Sequence, residues 1–391
     1  MIRKSLSLEI SNFADFFRKN LGTTNFKSFS KSAFVQCRKK IKPEVFKHLS
    51  SILINEFYTD NGAAVKLWNG FRLLAVDGSI VRLPNTRELR KIYGAAKNQS
   101  KTAIAQARVS ILYDVLNNYA LDSQISPLKT GEISLAYRHL EHCRIGDLVI
   151  YDRGYPSYDL MFEHIENKIN FLIRVRHNFN NVTKAFINSN KNSSIVNFYP
   201  VQKSNISDKP YNRGTPIKVR LIRVKLPNGE IELLITSLLD LKCYPVSTFK
   251  ELYFKRWKIE TFYDELKNKL KIEYFTGYSK ESIAQDFYAT LFVSNVQTLI
   301  VSDLEDELNE CSKGKKYKYK VNTNLSYGFL KNRIISLFFS NSNIEEVTKE
   351  LKSLFKENPV PIRPNRTHER KVEKYRKQFK PKITKNQKDT L

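Results

Sequence analysis

Two short apolar runs, LLAVD at 73–77 and LVIYD at 148–152, each end on an aspartate. A run of four apolar residues closed by an acid reads as a buried strand that delivers a carboxylate to a sheet edge, and a fold with two such strands must keep both acids satisfied. Each has a structural alternative: Asp77 precedes Gly78 and suits a turn, and Asp152 suits a turn or a helix cap. The residues around them set the architecture. FRLLAVDGSIVRLP predicts a buried strand, an Asp77-Gly78 turn and a second short strand. ARVSILYDVLNNYALDSQIS predicts two strands meeting at Asn117-Asn118, so three antiparallel strands are expected here. ISLAYRHLEHC reads as a helix, DLVIYD as a strand, 157–167 as a helix and FLIRVR at 171–176 as a strand.

The flanking regions carry other periods. Residues 1–66 space apolar positions helically, as in Phe46, Leu49, Ile52, Leu53 and Phe57 after Pro43, and form a helical N-terminal module. With 67–176 as the first part of a core, 177–245 comes next as a β-rich insertion. It is polar to about 212, then carries IKVRLIRVKLP and EIELLITSLL around Asn228-Gly229. The core resumes over 246–305 with one long helix from Val246 to Leu270 and another over 281–303. A helical C-terminal region over 306–358 opens on the basic loop CSKGKKYKYK, and 359–391 forms a flexible basic tail.

The long helix carries a third acid. At ~100° per residue, Tyr253, Arg256, Glu260, Asp264 and Lys267 share one stripe, beside an apolar stripe of Leu252, Ile259, Tyr263, Leu266 and Leu270. Arg256 one turn before Glu260 and Lys267 two turns after it would let a carboxylate meet a cation while two bases grip phosphates. A solvated helix with ordinary ion pairs is the competing reading. Asp77, Asp152 and Glu260 together could hold two Mg2+ ions about 3.5–4 Å apart, one activating water or a 3′-hydroxyl and one stabilising the leaving oxygen. Asp264 is the rival third ligand.

Composition agrees with a polyanionic partner. The chain has 66 Lys plus Arg against 39 Asp plus Glu, a formal charge of +27, which points to nucleic acid; a Lys-rich genome is the bland alternative. Cys37, Cys143, Cys243 and Cys311 lie far apart without zinc-ligand spacing, so a reduced, cytoplasmic protein is expected. The N-terminal MIRKSLSLEISNFADFF lacks the unbroken apolar core of a signal peptide, and ATLFVSNVQTLIV is too short and polar to span a bilayer. No phosphate-cradling glycine loop occurs.

YFKRWKIETFYDELK contains the spacing Tyr, two residues, Arg, three residues, Glu, six residues, Lys, as Tyr253, Arg256, Glu260 and Lys267. With AVDGSIVRLP and IYDRGYPS before it, the chain over roughly 30–350 resembles the insertion-sequence-4 family of bacterial DDE transposases. The resemblance implies an α/β fold: an RNase H-like core with a mixed sheet, split by an insertion domain before the third acid. It implies Asp77, Asp152 and Glu260 as catalytic metal ligands for two Mg2+, with Mn2+ as a substitute. Tyr253, Arg256 and Lys267 would handle transposon-end DNA, with Trp257 either stacking on a base or packing in the core. The partners implied are double-stranded DNA, as terminal inverted repeats and target, and a second copy in a synaptic homodimer. A hairpin intermediate is implied by the family alone. A nuclease that cuts without joining, or a catalytically silent DNA-binding descendant, are the alternatives.

Overall fold

The computed structural model describes residues 6–20, 26–60, 62, 64–97, 103–201, 206–226, 228–339 and 344–363. The basic tail predicted after Pro359 therefore lies outside the described residues from 364 onward. In chain order the elements begin with α1 (Leu6–Asn20), α2 (Lys31–Arg38), α3 (Glu44–Asp60), β1 (Leu73–Arg82), α4 (Arg87–Tyr93), β2 (Ala95–Lys97), β3 (Ala103–Asp114) and β4 (Tyr119–Pro127). Next come α5 (Glu132–His139), β5 (Leu148–Tyr151), α6 (Tyr158–Glu166), β6 (Asn170–Val175), α7 (Asn181–Asn188), β7 (Ser193–Phe198), β8 (Ile217–Lys225) and β9 (Ile231–Thr236). The remainder is α8 (Thr248–Phe254), α9 (Trp257–Asn268), α10 (Lys280–Ser302), α11 (Glu305–Glu310), β10 (Tyr319–Val321), α12 (Thr323–Phe339), α13 (Ile344–Glu357) and β11 (Pro359–Pro361). Two compact units result, one from Met1–Phe57, Arg82–Gln106 and Glu265–Leu391, the other from Tyr58–Val81 and Ala107–Asp264.

The second unit contains most of a nine-stranded mixed sheet, ordered β2-β3-β1-β5-β6-β9-β8-β7 with β4 on β3. β1, β5 and β6 run parallel, and β9, β8 and β7 continue the sheet antiparallel. The near-continuous apolar character of LLAV, LVIY and FLI reflects this placement, because central strands are covered on both faces. Leu73 through Val76, Leu148 through Tyr151 and Phe171 through Ile173 are each fully buried. Polar groups within this core are paired: Tyr151 Oη meets His164 Nε2 at 2.8 Å, and Arg72 donates to both oxygens of Asp147 at 2.8 and 2.5 Å.

Two local expectations are corrected. β1 runs unbroken from Leu73 to Arg82, so Asp77-Gly78 is not a turn between two strands. Gly78 stays extended, and its N–H donates to Asp77 Oδ1 at 2.9 Å, which satisfies the amide without reversing the chain. The single helix expected over Val246–Leu270 is two, α8 and α9. Between them the amides of Lys255 and Arg256 reach carbonyls three residues back, at 3.2 and 3.1 Å, tightening the turn and shifting the angular phase of α9 relative to α8. The polar stretch after 177 contains α7 and β7; Asn180 and Thr183 close a capping box that starts α7.

The first unit is mainly helical. α10 is apolar around most of its circumference and buries Ile283, Phe287, Leu291, Val296 and Ile300, as a helix surrounded by others must. Arg38 ties α2 to it, donating to Gln285 Oε1 at 2.5 Å and Asp286 Oδ1 at 2.6 Å. β10, at the end of the expected basic loop, pairs antiparallel with β11. Among the described residues no helix is long and apolar enough to cross a membrane.

Candidate active site

The parallel register of β1 and β5 decides where the two aspartates stand. Leu73 pairs with Leu148 and Ala75 with Ile150. Asp77 and Asp152 each come two residues later, so the acids stand at one level just beyond the parallel pairing, Asp77 within β1 and Asp152 after the end of β5. Asp152 begins the loop after β5, where its Oδ1 accepts the Gly154 N–H at 2.7 Å. A side chain on Gly154 would put its Cβ 3.0 Å from that same oxygen, so any other residue there would press the acid out of its place by a few tenths of an ångström.

Glu260 comes from the first turn of α9, where Ile259, Phe262 and Tyr263 anchor the helix in the core and Phe262 stacks on Tyr113 at 4.5 Å. The Tyr263 hydroxyl donates to the Asp77 carbonyl at 2.8 Å. Burial raises the Asp77 carboxyl from its ordinary 3.8 to about 6, and the charges of Asp152 and Glu260, both within electrostatic reach, push the same way. The Gly78 amide and the Arg256 charge oppose them.

Arg256 Nη2 donates to Glu260 Oε1 at 2.6 Å, the one-turn pairing anticipated from spacing, with the arginine side chain 7% exposed. Its guanidinium lies over the rings of Tyr253, at 5.7 Å, and Trp257, at 5.3 Å. Arg256 Nε and the Tyr253 hydroxyl are buried without a hydrogen-bond partner among the described residues, leaving two donors next to the acids. Burial pushes the Tyr253 phenol up to about 12, keeping it a donor. Trp257 is 44% exposed, leaving part of its ring open to solvent. Lys267 is half-buried on α9, two turns beyond Glu260. Asp264 is exposed.

Glu132 escaped the sequence reading. Its carboxylate would lie 3.4 Å from a Cβ on Gly78 and 3.6 Å from one on Gly154, so it packs against the glycines just beyond both aspartates, and it is ion-paired with Arg108. Nothing local to Glu132 signals this, because only the fold brings the start of α5 to that place. Among the described residues no three carboxylate, imidazole or thiol groups stand close enough to hold an ion as the side chains lie, Glu260 being directed to Arg256. The donor set nonetheless suits a hard divalent cation: all-oxygen carboxylates, one of them with a raised pKa that a positive charge would relieve.

Comparison with known proteins bears on this arrangement. The transposase DDE domain family matches residues 68–296, which include both aspartates and Glu260. The chain is 23% identical over 272 residues to the transposase InsG for insertion sequence element IS4 of Escherichia coli (strain K12), covering 68% of this chain and 60% of that protein. It is 21% identical over 355 residues to the transposase for insertion sequence element IS231F of Bacillus thuringiensis subsp. israelensis, covering 79% of this chain and 72% of that one. A cryo-EM structure of the piggyBac transposase synaptic complex with hairpin DNA aligns at a TM-score of 0.41 and 10% identity, over 78% of this chain and 60% of that chain, too loosely to carry a fold assignment. The family match spans more than half of the chain and takes in the whole acid site, and the chain belongs to the DDE-domain transposases of the insertion-sequence-4 type.

Proposed function

We propose that this protein is the transposase of an insertion sequence, cutting DNA at the element's ends and joining the freed 3′-hydroxyls to a target through the site built by Asp77, Asp152 and Glu260. The observation that carries the reading is the parallel register that sets Asp77 beside Asp152, with Glu260 close enough to act on the Asp77 charge. The strand order β4-β3-β1-β5-β6, with β1, β5 and β6 parallel, supports an RNase H-like core in which β7 to β9 form the insertion before the third acid.

The three carboxylates would hold two divalent cations, Mg2+ or Mn2+, which when bound supply Lewis-acid activation of an attacking oxygen and stabilisation of a leaving one. The protein's own groups do the rest. Asp77, held within β1, and Asp152, just after β5, orient the reacting phosphate, and the rigid sheet limits how far it can drift from the attacking oxygen. Arg256 releases one N–H from Glu260 or extends its second edge toward a phosphate, a pairing its planar fork suits. Tyr253 donates beside it, and Trp257 offers an exposed ring face to a base. Lys267 adds a phosphate contact along the same helix. The excess of positive charge over the whole chain favours a DNA partner and makes binding strongly salt-dependent. A homodimer bringing two ends together, and a hairpin intermediate, complete the reading by family likeness, as does a cytoplasmic, nucleoid-associated location.

The test is a strand-transfer assay with the element's own terminal repeats, a supercoiled target plasmid and Mg2+. Joined products support a transposase. Cut ends that never join would instead make the protein a nuclease, and binding without cutting in either Mg2+ or Mn2+ would make it a silent DNA-binding descendant.

A further inference from the structure

Beneath Asp77 lies a buried polar chain that none of the site's chemistry uses directly. The Asp77 carbonyl sits beyond the stretch in which β5 pairs with β1, the register ending at Ala75 and Ile150. Two side-chain hydroxyls reach it: Tyr263 Oη at 2.8 Å and Ser110 Oγ at 3.4 Å. Because Ser110 has a single proton, its donation to the Asp77 carbonyl requires His139 to donate from both ring nitrogens, Nε2 to Ser110 Oγ at 2.9 Å and Nδ1 to Asp122 Oδ2 at 2.8 Å. The Gln124 amide braces the far end, donating to the Leu135 carbonyl at 3.1 Å and facing His139 Nδ1 at 3.2 Å, while His142 Nε2 approaches the other Asp122 oxygen at 3.6 Å.

The order serine, histidine, aspartate is that of a nucleophile, its base and the base's orienting acid. Here it cannot serve that purpose. Ser110 is 1%, His139 0% and Asp122 5% exposed, so no substrate carbonyl reaches the hydroxyl. Polar groups buried this deeply are costly unless each is bonded, and networks of this kind fix geometry. The end that leaves the network points to the main chain of Asp77.

We propose that Asp122, His139 and Ser110, with Tyr263 on the other approach, form a positioning relay that holds the Asp77 main chain, and so fixes the direction in which its carboxylate faces a bound cation. The relay rests on reading Asp77 as a metal ligand. Its members come from β3, β4, α5 and α9, so the elements around the first acid converge on one backbone atom. Groups that orient a ligand from behind govern metal affinity without touching the metal.

Mn2+ binding to the full-length chain, without DNA, is measured by calorimetry alongside thermal unfolding. Ser110→Ala and the isosteric Tyr263→Phe each weaken Mn2+ binding about tenfold or more. Thr236→Val is the control: it removes another buried hydroxyl, bonded to the Phe171 carbonyl at 2.6 Å in the same sheet, but one remote from the acids in the strand order. The relay is supported when Ser110→Ala and Tyr263→Phe lose Mn2+ affinity and Thr236→Val, with an equal or larger fall in unfolding temperature, does not. It is overturned when all three bind Mn2+ equally well while Asp77→Asn abolishes binding. Mn2+ binding that survives Asp77→Asn overturns the metal-ligand reading itself, and the relay with it.

Discussion

Replacing Asp77 by asparagine keeps its shape and its capacity to accept the Gly78 N–H, and removes its charge. Burial, with the neighbouring charges of Asp152 and Glu260, raises its pKa from 3.8 to about 6. The folded protein therefore keeps a proton that the unfolded chain has released across that interval, so this group lowers stability as pH rises through it. At 1.36 kcal/mol per pH unit the full penalty above pH 7 is about 3 kcal/mol. Asp77→Asn should therefore match wild type in stability below pH 4 and exceed it by about 3 kcal/mol near pH 8. Unfolding in urea, with a chelator present and pH varied from 4 to 8, reads the difference directly. A difference that does not change with pH, or a wild type more stable than the variant at pH 8, would refute the electrostatic account of the site.

Residues around the site carry further consequences. Arg72→Ala leaves Asp147 buried without its cation and should cost about 3–5 kcal/mol, measurable by denaturant unfolding; a loss below about 1 kcal/mol would contradict the buried pairing. His164, pushed by burial to about 3, should show no imidazole titration by NMR between pH 5 and 8. The unfolded chain takes up that proton below about 6.5, so His164 lowers stability as pH drops from there toward its folded value, and a midpoint near 6.5 in the folded protein would show the burial to be wrong. Trp257→Ala should leave unfolding temperature nearly unchanged, the ring being half-exposed, while weakening binding to end DNA by about 1–3 kcal/mol if a base stacks on it. Equal DNA affinity would remove Trp257 from the interface.

Much of the site was legible because its signals are local. LLAVD and LVIYD announce buried strands that carry acids, although only the second strand ends at its acid, and one-turn spacing places Arg256 against Glu260, whatever the rest of the fold does. The hairpin at Asn117-Asn118 was equally readable, Asn118 taking a φ of 63° at the turn between β3 and β4. Where local rules competed with tertiary demands, the reading failed. Asp-Gly favours a turn, but β1 stays in the sheet beside β3 through Arg82, past the end of its pairing with β5, and this keeps it extended. The break between α8 and α9 lacks proline or glycine, so the sequence carries no mark of it. The placing of Glu132 and the Ser110 relay depends on contacts between elements distant in sequence, which periodicity does not encode.

The most direct test of the central claim is cleavage of the element's own end in Mg2+ by wild type and by Asp77→Asn, Asp152→Asn, Glu260→Gln and Asp264→Asn. The account predicts that each of the first three variants binds the end but leaves it uncut, and that Asp264→Asn cuts like wild type. Loss of cutting in Asp264→Asn with retention in Glu260→Gln would move the third acid one turn along α9 and contradict the site described here.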